Sequence, residues 1–208
     1  MDTFSEHFLT DTVTILGALD PNDIEAVVSV MRATRDRGGR LFFCGSGGGA
    51  GHASHATCDF RKLGGFEAYC VTDNVSELTA RVNDEGWDGA YAAWLEASRL
   101  REGDCLFVFS VGGGSIEPPV SVNLVQAMTL ASRVGASVVG VAGRDGGVLR
   151  SIADACVVVP TVDPKLVTPQ TEGLQALVWH LIVSHPHLAA STAKWEGLDQ
   201  GPPQVVAR

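Results

Sequence analysis

The sequence predicts an α/β fold of three layers, in which helices cover both faces of a doubly wound, five-stranded parallel sheet. An N-terminal pair of helices precedes the sheet. Five short apolar runs occur along the chain without alternating polar residues, which is typical of strands buried on both faces. Segments with helical spacing separate these runs, and strands that alternate with helices form parallel sheets.

Each element is predicted from its own pattern. The N-terminal helices cover residues 4–16 and 22–37, and Asp20 before Pro21 is a typical helix start. The predicted strands cover residues 41–44, 68–71, 105–110, 137–141 and 155–159. The remaining helices cover residues 51–63, 76–81, 88–99, 120–134, 147–153 and 169–183.

These elements divide the chain into three parts. Residues 1–38 form the helical pair, which we expect to make an oligomer contact, although packing on its own core is an alternative. Residues 39–190 form the sheet domain, and residues 191–208 an irregular tail.

The composition excludes several classes of protein. With 45% hydrophobic and 19% charged residues, the chain is too apolar for disorder, yet it has no apolar run long enough for a membrane span. A net charge of −9 argues against a nucleic-acid partner. Five cysteines, an odd number without zinc-ribbon spacing, and the lack of a signal peptide lead us to expect reduced thiols and a cytoplasmic protein.

Two glycine-rich loops follow the first and third strands. The first runs over residues 45–51 and the second contains Gly112, Gly113 and Gly114; each carries serines and precedes a helix. Such loops bring backbone N–H groups close to an anion, and neighbouring parallel strands end at one edge, so both loops can converge on a phosphate. One alternative is that both loops are ordinary tight turns. Another is a nicotinamide site, for which the glycine pattern is degraded. No P-loop motif is present in the sequence.

Histidines and carboxylates occur on two predicted helices. His55 and Asp59 are four residues apart and share a helix face, whereas Glu172 and His180 lie on the last helix. Two imidazoles and two carboxylates suit Zn²⁺ or a similar divalent ion. Glu172 and His180 are about 12 Å apart along a helix, so either both side chains lean together or one serves a neighbouring subunit. A lone His180 in an apolar helix could also be a hydrogen-bonded core residue.

Together these residues resemble the SIS (sugar isomerase) domain family, of flavodoxin-like topology, and most closely its phosphoheptose isomerases. The resemblance covers residues 20–186 and depends on six landmarks in the family's order. The landmarks are the 44–48 loop, the His55 and Asp59 helix, Asn83 and Asp84, the 110–115 loop, the 143–147 segment, and Glu172 with His180.

The resemblance implies a homotetramer with active sites between subunits, a bound zinc ion, and a small phosphorylated sugar as substrate. It places Asp59 and His180 at the catalytic acid–base positions. It implies that the metal ligands are His55, Asp59, Glu172 and His180. It implies that the residues binding substrate and phosphate are Ser46, Gly47, Gly48, Asp84, Ser110, Val111, Gly112 and Ser115.

The chain departs from the family pattern at these positions. Asp59 replaces a glutamate, Glu172 a glutamine and Ser46 an asparagine, and Gly49 and Gly112 replace two loop serines. The first two replacements keep metal-binding groups, so we interpret the site as altered but retained.

The resemblance predicts an isomerase that converts sedoheptulose 7-phosphate to a D-glycero-heptose 7-phosphate through an enediol. One alternative is a non-catalytic SIS module that binds a sugar phosphate or a protein as a regulatory tetramer. Another is a zinc hydrolase, although no serine elbow or HExxH motif supports it.

Overall fold

A computed structural model describes residues 3–196, and the predicted tail beyond residue 196 lies outside the described residues. The strands are β1 (Leu41–Gly45), β2 (Ala68–Cys70), β3 (Cys105–Ser110), β4 (Ser137–Ala142) and β5 (Ala155–Val158). The helices are α1 (Phe4–Ala18), α2 (Pro21–Asp36), α3 (Gly48–Lys62), α4 (Val75–Ala97), α5 (Val122–Arg133), α6 (Gly147–Ile152) and α7 (Val167–Ser184).

The five strands form one parallel sheet in the order β2-β1-β3-β4-β5. Strand β2 is therefore added on one side of β1, and β3, β4 and β5 are added on the other side. The order reverses between β1 and β3, whose carboxyl ends lie side by side. Both glycine-rich loops leave from this point. The predicted fold class is confirmed.

Two apolar clusters hold the three layers together. The first cluster joins one sheet face to α2, α3 and α7 through residues such as Met31, Phe60 and Trp179. The second joins the opposite face to α4, α5 and α6 through Leu95, Met128 and Leu149. Because both faces are covered, β1 and β3 are buried along their whole length, which explains their unbroken apolar sequences.

Helix boundaries differ from expectation by more than two residues at two places. The first glycine-rich loop contributes the first turn of α3, which begins at Gly48 and not at residue 51. The two helices predicted over 76–81 and 88–99 are halves of α4, joined across a kink at Gly86, where φ is 76°. Among residues 3–196, no helix is long and apolar enough to cross a membrane.

Candidate active site

Three side chains predicted from the sequence meet between α3 and α7. His55 and Asp59 lie one turn apart on α3, and His180 faces them from α7. Asp59 Oδ2 lies 3.8 Å from His55 Nε2 and 3.9 Å from His180 Nε2. The three atoms lie within 4.8 Å of one another, so they can act together on a single ligand or ion.

One backbone contact sets the tautomer of the neutral His180 ring. Its Nδ1 lies 2.7 Å from the carbonyl oxygen of Ala176, which can only accept a hydrogen bond. We therefore assign the proton of the neutral ring to Nδ1, which leaves the Nε2 lone pair directed toward Asp59. A histidine held in this way is prepared to bind a metal or to accept a proton.

The histidine cluster rests on a buried indole. Trp179 is fully buried, and its ring centroid lies 4.8 Å from that of His55 and 3.5 Å from that of His180. Above this apolar floor the His55 and His180 side chains are 61% and 50% exposed, whereas Asp59 is 17% exposed. The imidazoles are thus accessible to a ligand, and the carboxylate lies deeper.

Glu172 lies apart from this cluster, two turns nearer the start of α7. Its carboxylate fills the space beside Gly48, where a side chain would place its Cβ 2.6 Å away. Gly48 is the first residue of α3, and the Gly49 and Ala50 N–H groups behind it already donate to the Ser46 and Gly47 carbonyls. The structure therefore directs Glu172 at the expected phosphate loop.

The first glycine-rich loop is fixed by neighbouring polar side chains. Gly47 caps α3 with a φ of 58°, a conformation that favours glycine. The Ser46 hydroxyl accepts a 3.0 Å hydrogen bond from Asn123 Nδ2, and the Tyr91 hydroxyl donates to the Gly45 carbonyl at 2.8 Å. Burial raises the pKa of Tyr91 to about 12, so this hydroxyl keeps its proton. The Ser46 hydroxyl is also within hydrogen-bonding reach of the Tyr91 hydroxyl.

The second glycine-rich loop is held by its own serine. The Ser110 hydroxyl accepts a 3.0 Å hydrogen bond from the Gly113 N–H and is buried. Gln175 of α7 donates to the Ser110 carbonyl at 3.0 Å. Ser110 therefore shapes the loop, while Val111 and Gly112 are half-buried at its surface.

A cavity of about 590 Å³ opens beside the second glycine-rich loop. Two residues predicted to bind substrate, Gly112 and Ser115, line it, and so does Arg144, which the sequence analysis did not single out. The Arg144 side chain packs over Gly112, where a Cβ would lie 3.5 Å from its Cδ. The lining also contains the carboxylates Glu117 and Asp145, and among the described residues Arg144 is its single cation.

Several predicted residues lie elsewhere within one chain. Asp84 is exposed on α4, where it accepts a hydrogen bond from Asn83. The first glycine-rich loop and the histidine cluster do not line the cavity either.

Three further polar residues around the loops were missed by the sequence analysis as site residues. Asn123 Oδ1, Gln175 Oε1 and His52 Nε2 are buried without a hydrogen-bond partner among the described residues. Such atoms are rare in proteins, and these three lie beside the two glycine-rich loops and in the first turns of α3. Polar residues inside the apolar patterns of α5 and α7 were the available signal for Asn123 and Gln175.

His52 lies on α3 close to Glu172. Burial lowers the pKa of His52, and the nearby Glu172 carboxylate opposes this effect. The ring is therefore biased toward its neutral form at the start of the helix.

Comparison with known proteins identifies the family. The model of the SIS domain matches residues 7–143. The lincomycin biosynthesis protein LmbN of Streptomyces lincolnensis is 36% identical over 190 residues, covering 86% of this chain and 67% of that protein. A phosphoheptose isomerase of Rhodospirillum rubrum is 32% identical over 172 residues, covering 80% of this chain and 85% of that protein.

Solved structures share the fold. A phosphoheptose isomerase from Neisseria gonorrhoeae superposes with a TM-score of 0.74 at 23% identity, covering 85% of this chain and 93% of that one. One from Francisella tularensis gives 0.75 at 20% identity, covering 88% and 97%. The sheet order and the position of the two loops at the carboxyl edge of the sheet are consistent with the sequence match. The chain therefore belongs to the SIS domain family.

Proposed function

We propose that this protein is a sugar-phosphate isomerase that converts sedoheptulose 7-phosphate to a D-glycero-heptose 7-phosphate. The observation that carries the proposal is the Asp59 carboxylate between the imidazoles of His55 and His180, on helices that begin near the glycine-rich loops. Relatives named phosphoheptose isomerase, 32% and 33% identical to this chain, support the same substrate.

The isomerisation requires proton transfers that Asp59 and His180 are suited to perform. In the open-chain ketose, a base removes one proton from C1, and the electron pair forms the C1–C2 double bond of an enediol. The hydroxyl proton leaves O1 while O2 gains a proton, and C2 then receives a proton to give the aldose. We assign the transfer of the carbon-bound proton to the Asp59 carboxylate. We assign the transfer of the oxygen-bound proton to His180 Nε2, whose lone pair is free when no metal is bound.

The same cluster fits a divalent metal. The distances of 3.8 and 3.9 Å from Asp59 Oδ2 to the Nε2 atoms of His55 and His180 are too long for hydrogen bonds. They suit ligand atoms on either side of one ion. In the metal-bound form His55, Asp59 and His180 would hold Zn²⁺, and the Nδ1–H contact of His180 is the outer support that metal-bound histidines usually have. Metal binding and proton transfer are alternative roles for Asp59 and His180, because an atom that coordinates the ion cannot also accept a proton. When bound, zinc would polarise the carbonyl and hydroxyl oxygens of the sugar.

The phosphate end of the sugar would bind at the glycine-rich loops. The Ser46 hydroxyl and the Gly48 N–H at the start of α3 are the groups that the first loop would offer to it. Arg144 supplies a positive charge beside Gly112, where the family has a serine, and it compensates for the missing hydroxyl.

We propose a homotetramer whose active sites are completed between subunits, working in the cytoplasm. The cavity and the histidine cluster are separate within one chain, and α1 exposes the apolar side chains of Phe4, Leu9 and Val13. All five cysteines are free thiols, which suits a reducing compartment. Light scattering on the purified protein should give the mass of four chains, and a monomer in solution would contradict the proposal.

The function is tested by incubating the protein with sedoheptulose 7-phosphate in D₂O. Proton NMR should show formation of the aldose and exchange of one carbon-bound proton. His180→Ala should lower kcat/KM by about 10²–10⁴-fold, the usual contribution of one acid–base group. His187→Ala, which removes another exposed histidine outside the site, should leave the rate unchanged.

Two outcomes would contradict the isomerase. Saturable binding of the sugar phosphate without proton exchange would identify a non-catalytic SIS module instead. Full turnover by His180→Ala would remove the assigned acid–base group. Ketose phosphates of other chain lengths belong in the same assay, because a relative with 36% identity is named for lincomycin biosynthesis.

A further inference from the structure

A second cluster of metal-binding side chains lies far from the candidate active site in sequence. It consists of His7 and Asp11, one turn apart on α1, and Asp163 in the connection between β5 and α7. His7 Nε2 lies 3.2 Å from Asp11 Oδ2 and 3.8 Å from Asp163 Oδ2. All three ligand atoms lie within 4.8 Å of one another.

These separations suit one tetrahedral ion. Two ligand atoms that bind Zn²⁺ at about 2.0–2.1 Å lie about 3.4 Å apart at tetrahedral angles. The His7 contacts, at 3.2 and 3.8 Å, bracket this value. One imidazole and two carboxylates are also donors that Zn²⁺ accepts.

Asp11 supplies the independent evidence that a ligand belongs here. The residue is 7% exposed, one of only two buried residues of α1, and its Oδ2 has no hydrogen-bond partner among the described residues. The approach of His7 Nε2 at 3.2 Å is close enough for an ion pair but lacks the alignment of a hydrogen bond. A buried carboxylate oxygen without a partner costs free energy, which a bound cation would offset.

Asp163 is already oriented for the same purpose. Its Oδ1 accepts a 2.8 Å hydrogen bond from the Lys165 N–H, and this bond turns Oδ2 toward His7. Carboxylates that bind metals are usually held by such an outer hydrogen bond.

We propose that His7, Asp11 and Asp163 bind a divalent cation of the zinc class, at a site distinct from the His55, Asp59 and His180 cluster. The ion fastens α1 to the connection that leads into α7. Within one chain only Asp11 and Ile15 of the fifteen residues of α1 are buried, so the ion adds a contact between this helix and the rest of the chain. The site is structural.

The test removes the active-site ligands first, so that it does not depend on the proposed isomerase. In the full-length His55→Ala/His180→Ala protein, equilibrium dialysis against ZnCl₂ with elemental analysis should give about one zinc per chain. Adding Asp163→Asn, or His7→Ala, should weaken this binding at least tenfold. Asp36→Asn and His187→Ala, which change an exposed carboxylate and an exposed imidazole elsewhere, should leave it intact.

A second measurement reports on the helix itself. Amide hydrogen exchange of α1 should slow at least tenfold when zinc is added to the His55→Ala/His180→Ala protein, and not when Asp163→Asn is also present. The proposal is overturned if the folded double variant binds no zinc, or if zinc binding survives both Asp163→Asn and His7→Ala. In either case the cluster is a set of side-chain contacts among His7, Asp11 and Asp163 without a metal.

Discussion

At the scale of single residues, a hydrogen bond to the backbone prepares His180 for chemistry. The Ala176 carbonyl lies one turn earlier on the same helix, so the ring orientation follows from the helix itself. The lone pair of Nε2 is then directed at Asp59 of another helix. One side chain thus links local helix geometry to the proposed proton transfer.

The variant Glu172→Gln distinguishes a carboxylate that faces the phosphate loop from one that binds the metal. Because the carboxylate lies against Gly48 and apart from the histidine cluster, we expect the variant to lower KM for the phosphorylated sugar by about fivefold. That factor corresponds to the removal of about 1 kcal/mol of repulsion between charges near 4 Å in water. Steady-state kinetics and zinc analysis measure the effect.

The control for Glu172→Gln is Glu102→Gln, an exposed carboxylate remote from the loops. If Glu172→Gln lost its zinc and its kcat together, the residue would be a fourth metal ligand, as the family resemblance implies, and the assignment to the phosphate loop would be wrong.

The burial of His52 predicts that the stability of the protein depends on pH. Its pKa is lowered in the folded protein, chiefly by burial, from an unfolded value of about 6.5. The neutral ring therefore contributes stability above about pH 6.5, and this contribution is lost as the pH falls through the folded pKa. Urea unfolding between about pH 5 and 7 should show a shallower decline in the free energy of unfolding for His52→Gln than for the unchanged protein. His187→Gln should follow the unchanged protein, and equal slopes for all three would refute the assignment.

At the scale of elements, close contacts explain why glycines form the first turn of α3. A Cβ at Gly48 would meet the Glu172 carboxylate, and one at Gly49 would lie 2.8 Å from the Phe109 carbonyl. The sequence shows a glycine cluster, which is typical of a loop, whereas the contacts that require glycine come from α7 and β3. The start of the helix could not be predicted from local pattern.

The kink in α4 predicts that alanine has different effects on stability at two glycines of this helix. Gly86 has a φ of 76°, where a Cβ is strained, so Gly86→Ala should lower the free energy of unfolding by about 1–2 kcal/mol. A Cβ at Gly89 would have ordinary contacts, nearest at 3.6 Å, so Gly89→Ala should be neutral or stabilising. Chemical denaturation of both variants measures the difference. Equal effects would mean that the kink does not depend on Gly86.

At the scale of the whole molecule, one ion pair joins the amino-terminal ends of β1 and β3. The Arg40 guanidinium lies 2.6 Å from Asp104 Oδ2, and Asp104 is 1% exposed. Asp104 also accepts N–H hydrogen bonds from Arg40 and Arg101. The pair lies at the edge of the sheet opposite the glycine-rich loops.

Asp104→Ala should therefore lower the free energy of unfolding by about 3 kcal/mol or more, because it removes the counter-charge of Arg40 and leaves two backbone N–H groups without their partner. Asp36→Ala, in an exposed pair with Arg32, should cost less than about 1 kcal/mol. Urea denaturation measures both. A small loss for Asp104→Ala would show that this pair contributes little to the sheet.

Sequence alone was enough for the strands, because strands covered on both faces must be apolar throughout. Strand β3 has the predicted bounds, and the other four differ by no more than one residue at an end. The alternation of strands with helices then predicts a parallel sheet, and the facing of His55 and Asp59 follows from their spacing of four.

Only the tertiary structure decided which distant residues meet. The approach of His180 to Asp59, of Glu172 to Gly48 and of Arg144 to Gly112 depends on how α7 and the β4–α6 loop pack on the rest of the chain. Local patterns arise from burial and backbone geometry, which the sequence records at short range. Contacts between distant segments arise from packing of the whole molecule, and no spacing along the chain contains them.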